Sequence, residues 1–194
     1  VAELVLAIAP ALPVHRDSYR ELFRRHVGVD PLSAPLGELR ARALPLAPDA
    51  GGWDRDTLLD LLFAGLAEPR LGCGCLQFVE RFPASRASLA RRAEDPDGQP
   101  VAARFELFIE GLELANGYDE LCDAAELEAR FEADNAARRM AGSAPMPVDQ
   151  HLLAAMRHGL PASAGVALGV DRLLMIALGA GRIDEVIAFP AGRA

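Results

Sequence analysis

Lysine is absent: all 20 basic side chains of this 194-residue chain are arginine. That excludes Schiff-base catalysis and the lysine of a Walker A phosphate loop, while a base composition rich in Arg and Ala codons accounts for the bias itself. Cysteine is scarce and odd in number, with Cys73, Cys75 and Cys122. The C-x-C spacing is too tight for the usual C-x2-C half of a zinc site, and the pattern reads as a reducing cytoplasm. No apolar run approaches the ~20 residues of a membrane span, so no membrane partner is expected. The opening VAELVLAIAPAL carries Glu3, lacks a basic leader and meets Pro10 and Pro13 at once, unlike a secretory signal. It reads as a core helix. No methionine precedes Val1, and an apolar helix with nothing ahead of it reads as a cut, so an N-terminal portion is expected upstream.

Positive charge is also short. The net charge of -8 and pI near 5.0 argue against a broad basic surface for nucleic acid, whose affinity rests on neutralising phosphates, and leave room only for a local patch. What is present, 51% hydrophobic and 25% charged residues, fits one globular domain with a real core.

Along the chain, Leu4, Leu6 and Ile8 suggest a short apolar helix, and after a proline turn Ser18 can cap a helix carrying Tyr19, Leu22, Phe23 and Val27. A turn at DPLSAPLGEL leads to a short helix from about Gly37, and Asp54 caps a helix with Leu58, Leu61, Leu62 and Leu66 on one face. CLQFVERF reads as a strand ending at Pro83, and EDPDGQP as a solvated loop. From Ala102 to Tyr118 a hairpin turns on Glu110-Gly111. A long charged helix then runs through Leu127 and Phe131 to Met140, and another from Val148 to His158. SAGVALGVDRLLMIALG forms a strand, a glycine corner and a helix, with VIAF as a last strand. Strands interleaved with helices around an antiparallel hairpin give an α+β fold, a mostly antiparallel sheet flanked by helices.

The hairpin FELFIEGLELANGYDEL holds five carboxylates, which are depleted in strands. Turning on Glu110-Gly111 pairs Ile109 with Leu112, Phe108 with Glu113 and Glu106 with Ala115. Glu106 and Glu113 then share a face as diagonal neighbours ~7–8 Å apart, a separation at which two carboxylates can share divalent ions carrying nucleotide phosphates. The alternative is a solvated face on which Glu106 pairs with Arg104 or a neighbouring arginine. Gly117, inside a strand, marks a bulge or a close backbone approach and would re-aim Asn116, Tyr118 and Glu120 toward a pocket. An aromatic ring beside a carboxylate suits a ligand ammonium; equally, Tyr118 fits the core and Glu120 a helix start. In Gly165 to Arg172, Gly169 lacks a Cβ that would obstruct an adenine or ribose and Arg172 can offer a fork to phosphate oxygens, or the segment is glycine packing with an Asp171–Arg172 surface pair.

FELFIEGLELANGYDEL, GVALGVDRLLMIALG and DEVIAFP, in this order and separation, resemble motif 3 and its preceding strands in class II aminoacyl-tRNA synthetases, most closely the lysyl-tRNA synthetase family. DPLSAPLGEL, RDTLLDLLF and FPASRASLA extend the resemblance over nearly the whole chain, toward the truncated paralogues that ligate (R)-β-lysine to translation elongation factor P. The resemblance implies that Glu106 and Glu113 bind Mg2+ and ATP, that Leu114 and Gly169 lie against the nucleotide, and that Arg172 is catalytic at the γ-phosphate. It also implies that Asn116, Tyr118 and Glu120 hold a lysine-type amino acid, Glu120 taking the ammonium, and that an aminoacyl-adenylate forms with release of pyrophosphate. Ala167 stands where lysyl-tRNA synthetases usually have glycine, and its methyl favours an amine moved to the β-carbon.

Nothing in the chain corresponds to motif 1, which forms the homodimer in that family, or to motif 2, whose arginine binds the α-phosphate. Residues 1–194 are therefore expected to be one domain, the C-terminal part of a class II catalytic core, inactive alone. Two alternatives stay open: a lysyl-tRNA synthetase charging tRNA, and a non-catalytic binding module.

Overall fold

Local chemistry starts the helices. Ser18 accepts from the Glu21 N–H and the Glu21 carboxylate accepts from the Ser18 N–H at 2.8 Å, a reciprocal cap that opens α2 (Tyr19–His26); such caps are worth about 1 kcal/mol. Asp54 accepts from the Thr57 N–H at the start of α4 (Arg55–Leu62). The short α3 (Leu36–Ala43) lies between them. The apolar stripe of each points to one cluster: Tyr19, Leu22 and Phe23 from α2, Leu39 from α3, and Leu58, Leu59 and Leu62 from α4. The computed structural model describes residues 1–8, 12–190 and 192; Pro10, read as ending the first helix, lies outside them.

These helices cover part of one face of a six-stranded sheet, ordered β1 (Val14–Ser18), β2 (Leu76–Pro83), β4 (Pro100–Ile109), β5 (Leu112–Asp119), β6 (Ala164–Leu168), with β3 (Arg92–Glu94) beside β4. Only the β1–β2 pair is parallel. The α+β reading with a mostly antiparallel sheet therefore stands. Val79, Phe82, Ala102 and Phe108 meet the helices on this face. On the other face Leu76, Phe78, Leu107, Ile109, Leu114 and Ala115 pack against Val5 of α1 (Ala2–Leu6) and Leu173 of α7 (Val170–Leu178). A third cluster joins α5 (Ala124–Met140) to α6 (Gln150–Gly159) through Leu127, Leu153 and Met156.

Three expectations change. β1 is a strand where none was expected, because VHRDS has no apolar alternation and gains its order from pairing with β2. α1 is a helix, but only Val5 is buried and Leu4 is 52% exposed, so it is not a core helix. VIAF is not a strand; residues 183–185 form a single 3-10 turn. Among the described residues no helix is long and apolar enough to cross a membrane.

Candidate active site

The β4–β5 hairpin turns on Glu110 and Gly111, whose φ values of 49° and 74° are the left-handed pair that a tight two-residue turn needs. The turn is clamped from outside: Glu110 N–H donates to the Gly72 carbonyl and Gly111 N–H to the Leu71 carbonyl. Ile109 pairs with Leu112 and Phe108 with Glu113, as expected, but Glu106 then lies opposite Asn116 and not Ala115. An extra residue, Leu114, bulges from β5 between the Phe108–Glu113 and Leu107–Ala115 pairs.

The bulge decides which side chains share a face. Strict alternation would put Leu114, Asn116 and Tyr118 together and Glu113 with Ala115. With Leu114 bulged, Leu114 and Ala115 both turn into the apolar cluster under the sheet, while Glu113, Asn116 and Tyr118 come to the opposite face beside Glu106 and Arg104, their partners across the pair. The physical reason is burial: Leu114 is 2% exposed where it sits. The irregularity expected at Gly117 is thus at Leu114. Gly117 instead permits a close approach, since a Cβ there would lie 2.3 Å from the Phe105 ring.

Glu113 borders a cavity of about 330 Å3 together with Asn116, Ala167, Gly169, Asp171 and Arg172. Asn116 donates from Nδ2 to Glu113 Oε1 at 3.3 Å. The Gly169 N–H donates to the Leu114 carbonyl at 2.8 Å, joining the start of α7 to the bulge. A Cβ on Gly169 would sit 3.3 Å from Arg172 Cδ and 3.4 Å from the Leu114 carbonyl oxygen, so glycine keeps this corner close. Arg172 reaches from the first turn of α7 and donates to the Glu113 carbonyl at 2.5 Å, in place of an Asp171 surface pair. Leu114's side chain belongs to the opposite cluster, so any contact it makes with a ligand falls to its backbone.

Glu106 does not border that cavity. Its side chain is 15% exposed and bonded to Arg104 Nη2 at 2.6 Å. The alternative pairing with Arg104 is therefore the one found, though beneath the surface and not solvated. Burial pushes the Glu106 carboxyl up to about 7, the Arg104 charge pulls it down, and Glu113 and Glu68 add to the rise. Glu68, from the turn at residues 68–70, was not singled out from the sequence; its own carboxyl is raised by burial and then by the Glu113 charge. A sequence gap this long carries no local signal of the approach.

Tyr118 and Glu120 continue the same face toward the far end of β5. Tyr118 is half-buried, not core, and pairs with Gly165 of β6. A Cβ on Gly165 would lie 2.4 Å from Glu120 Oε1, so that glycine makes room for the carboxylate. Arg104, missed as a site residue, stands with its Cζ 5.2 Å from the Tyr118 ring centroid.

The arrangement offers a carboxylate, an amide and an arginine around one cavity, then an aromatic ring and a second carboxylate further along. Among the described residues no three His, Cys, Asp or Glu side chains gather to hold a metal ion unaided. The carboxylate oxygens of Glu113 at the cavity and of Glu106 on the same face, bonded to Arg104, are of the donor type that a divalent cation such as Mg2+ takes.

Residues 72–193 match the family described as tRNA synthetases class II (D, K and N). Among curated proteins, the elongation factor P–(R)-β-lysine ligase of Edwardsiella ictaluri is 54% identical over 180 residues, which is 91% of this chain and 55% of the relative. The proteins of that name from Yersinia enterocolitica and Klebsiella pneumoniae are 48% and 47% identical over 100% of this chain and 60% of theirs. The chain thus spans 55–60% of the length of these relatives.

Proposed function

This chain belongs to the class II (D, K and N) tRNA synthetases, and from that premise we propose that the protein containing it activates (R)-β-lysine with ATP and ligates it to a lysine of elongation factor P. The observation that carries the reading is the face made by the Leu114 bulge, on which Glu113, Asn116 and Tyr118 stand together beside Glu106. Supporting it, curated relatives similar over the whole chain carry that activity in their names. The proposal extends to a cytoplasmic enzyme acting as a homodimer whose contact lies outside this chain.

In this reading Glu106 and Glu113 would hold Mg2+, which would supply charge neutralisation at the phosphates. Arg172 leaves the Glu113 carbonyl and turns its fork to the γ-phosphate, while Gly169 and the Leu114 backbone receive the nucleoside. Glu120 pairs with the substrate's side-chain ammonium, Tyr118 offers its ring face, and Asn116 orients an amine beside Ala167. So held, the substrate carboxylate attacks the α-phosphorus, the bond from that phosphorus to the α,β-bridging oxygen breaks, and pyrophosphate leaves with that oxygen. Positioning and charge stabilisation supply the rate, for no side chain here is needed as a nucleophile.

The test is incubation of the full-length protein with ATP, (R)-β-lysine and either elongation factor P or lysine tRNA. Transfer to the protein acceptor is expected. Transfer to tRNA alone would convert the reading to a lysyl-tRNA synthetase, and absence of adenylate formation with any lysine isomer would leave a binding module.

A further inference from the structure

Arg104 is 13% exposed and touches both halves of the site. Its guanidinium lies over two rings, with Cζ 4.6 Å from the Phe82 centroid and 5.2 Å from that of Tyr118. Nη2 donates to Glu106 Oε1 at 2.6 Å and Nη1 to the Arg86 carbonyl at 3.1 Å. Nε is buried and has no hydrogen-bond partner among the described residues. A cation taken this far out of water is costly unless its surroundings hold it; here an ion pair, one carbonyl and two ring faces do so. The guanidinium that lies over Tyr118 also carries the N–H that donates to Glu106.

We propose that Arg104 is a positioning residue that couples the amino-acid side of the site, through Tyr118, to the nucleotide side, through Glu106. The inference rests on the functional reading above and adds to it a route by which each substrate strengthens binding of the other. Arg104 lies over one face of the Tyr118 ring, and in this proposal a ligand ammonium takes the other. A cation arriving there presses the ring toward the guanidinium and holds the fork on Glu106 in one orientation. Coupling of this kind is reciprocal, so bound nucleotide also tightens amino-acid binding.

The experiment is calorimetric titration of the full-length protein with Mg2+ and α,β-methylene ATP, with and without saturating (R)-β-lysine. In the wild type the amino acid is expected to tighten analogue binding about 5-fold or more. Arg104→Lys keeps a cation beneath Glu106 but loses the planar fork and its place over the rings, and the coupling is expected to fall to about 1. Arg104→Met is expected to lose the coupling and weaken the analogue as well. A wild type that binds both ligands with no coupling, or an Arg104→Lys variant that keeps it, overturns the role given to Arg104 and leaves the functional reading intact. Loss of folded circular dichroism in both variants shows a structural role only and overturns it too. A wild type that binds neither ligand overturns the functional reading itself.

Discussion

Glu106 is pulled in two directions, with burial raising its carboxyl from 4.5 to about 7 against the neighbouring Arg104 charge. The folded state therefore holds this proton more tightly than the unfolded chain. The stability so contributed is complete below about pH 4.5 and is lost as pH rises through about 7. Thermal melts of the ligand-free protein are expected to show that decline, and Glu106→Gln, which does not ionise, to flatten it; an unaltered slope would mean that the carboxyl is not buried as described. Ala167 tests selectivity at the same scale. It faces the cavity opposite Asn116, and Ala167→Gly is expected to move the ratio of kcat/KM toward α-lysine by about 1–3 kcal/mol. Equal ratios in the two proteins would remove the methyl from the account.

At the scale of elements, what was local was legible. The caps at Ser18 and Asp54 and the Glu110-Gly111 turn each depend on a few adjacent residues, and the resemblance supplied the identities of the site residues. The bulge was not legible, because LELANGY alternates acceptably in either register and only burial of Leu114 against α1 and α7 selects one. β1 was missed for a similar reason, as its order comes from a partner more than fifty residues away. Two predictions belong here. Gly117→Ala puts a methyl into the Phe105 ring and is expected to cost about 1–3 kcal/mol of stability in urea unfolding, with loss of amino-acid binding because β5 and β6 part. The second concerns α2, which is tied to the β3–β4 turn by Arg20, bonded to Asp30 at 2.8 Å, Asp95 at 3.1 Å and Asp97 at 2.7 Å. At Asp30 burial alone would raise the carboxyl, but bonds from Arg20, the Leu32 N–H and Arg24 outweigh it and hold it well below 3.8. Its stabilisation is present above that value and is lost on acidification. Arg20→Ala is expected to destabilise by about 3 kcal/mol at neutral pH and by much less in acid; equal losses at both would dissolve the tie.

For the whole molecule, the helices over Phe82 and Phe108 cover one end of the sheet face and leave the Glu113–Tyr118 side of it to line cavities. The relatives extend well beyond this chain; the 194 residues alone are expected to give no pyrophosphate exchange, and exchange by them would overturn that. The account stands on Glu113 and Glu106 acting together on one face. Its most direct test is equilibrium binding of α,β-methylene ATP to full-length wild type and Glu113→Gln, across a Mg2+ titration. The expected result is that Mg2+ tightens binding to wild type and that Glu113→Gln loses this response, with affinity reduced about tenfold or more, the scale of a lost charge-assisted contact. Mg2+-dependent binding of equal strength in both proteins would contradict it.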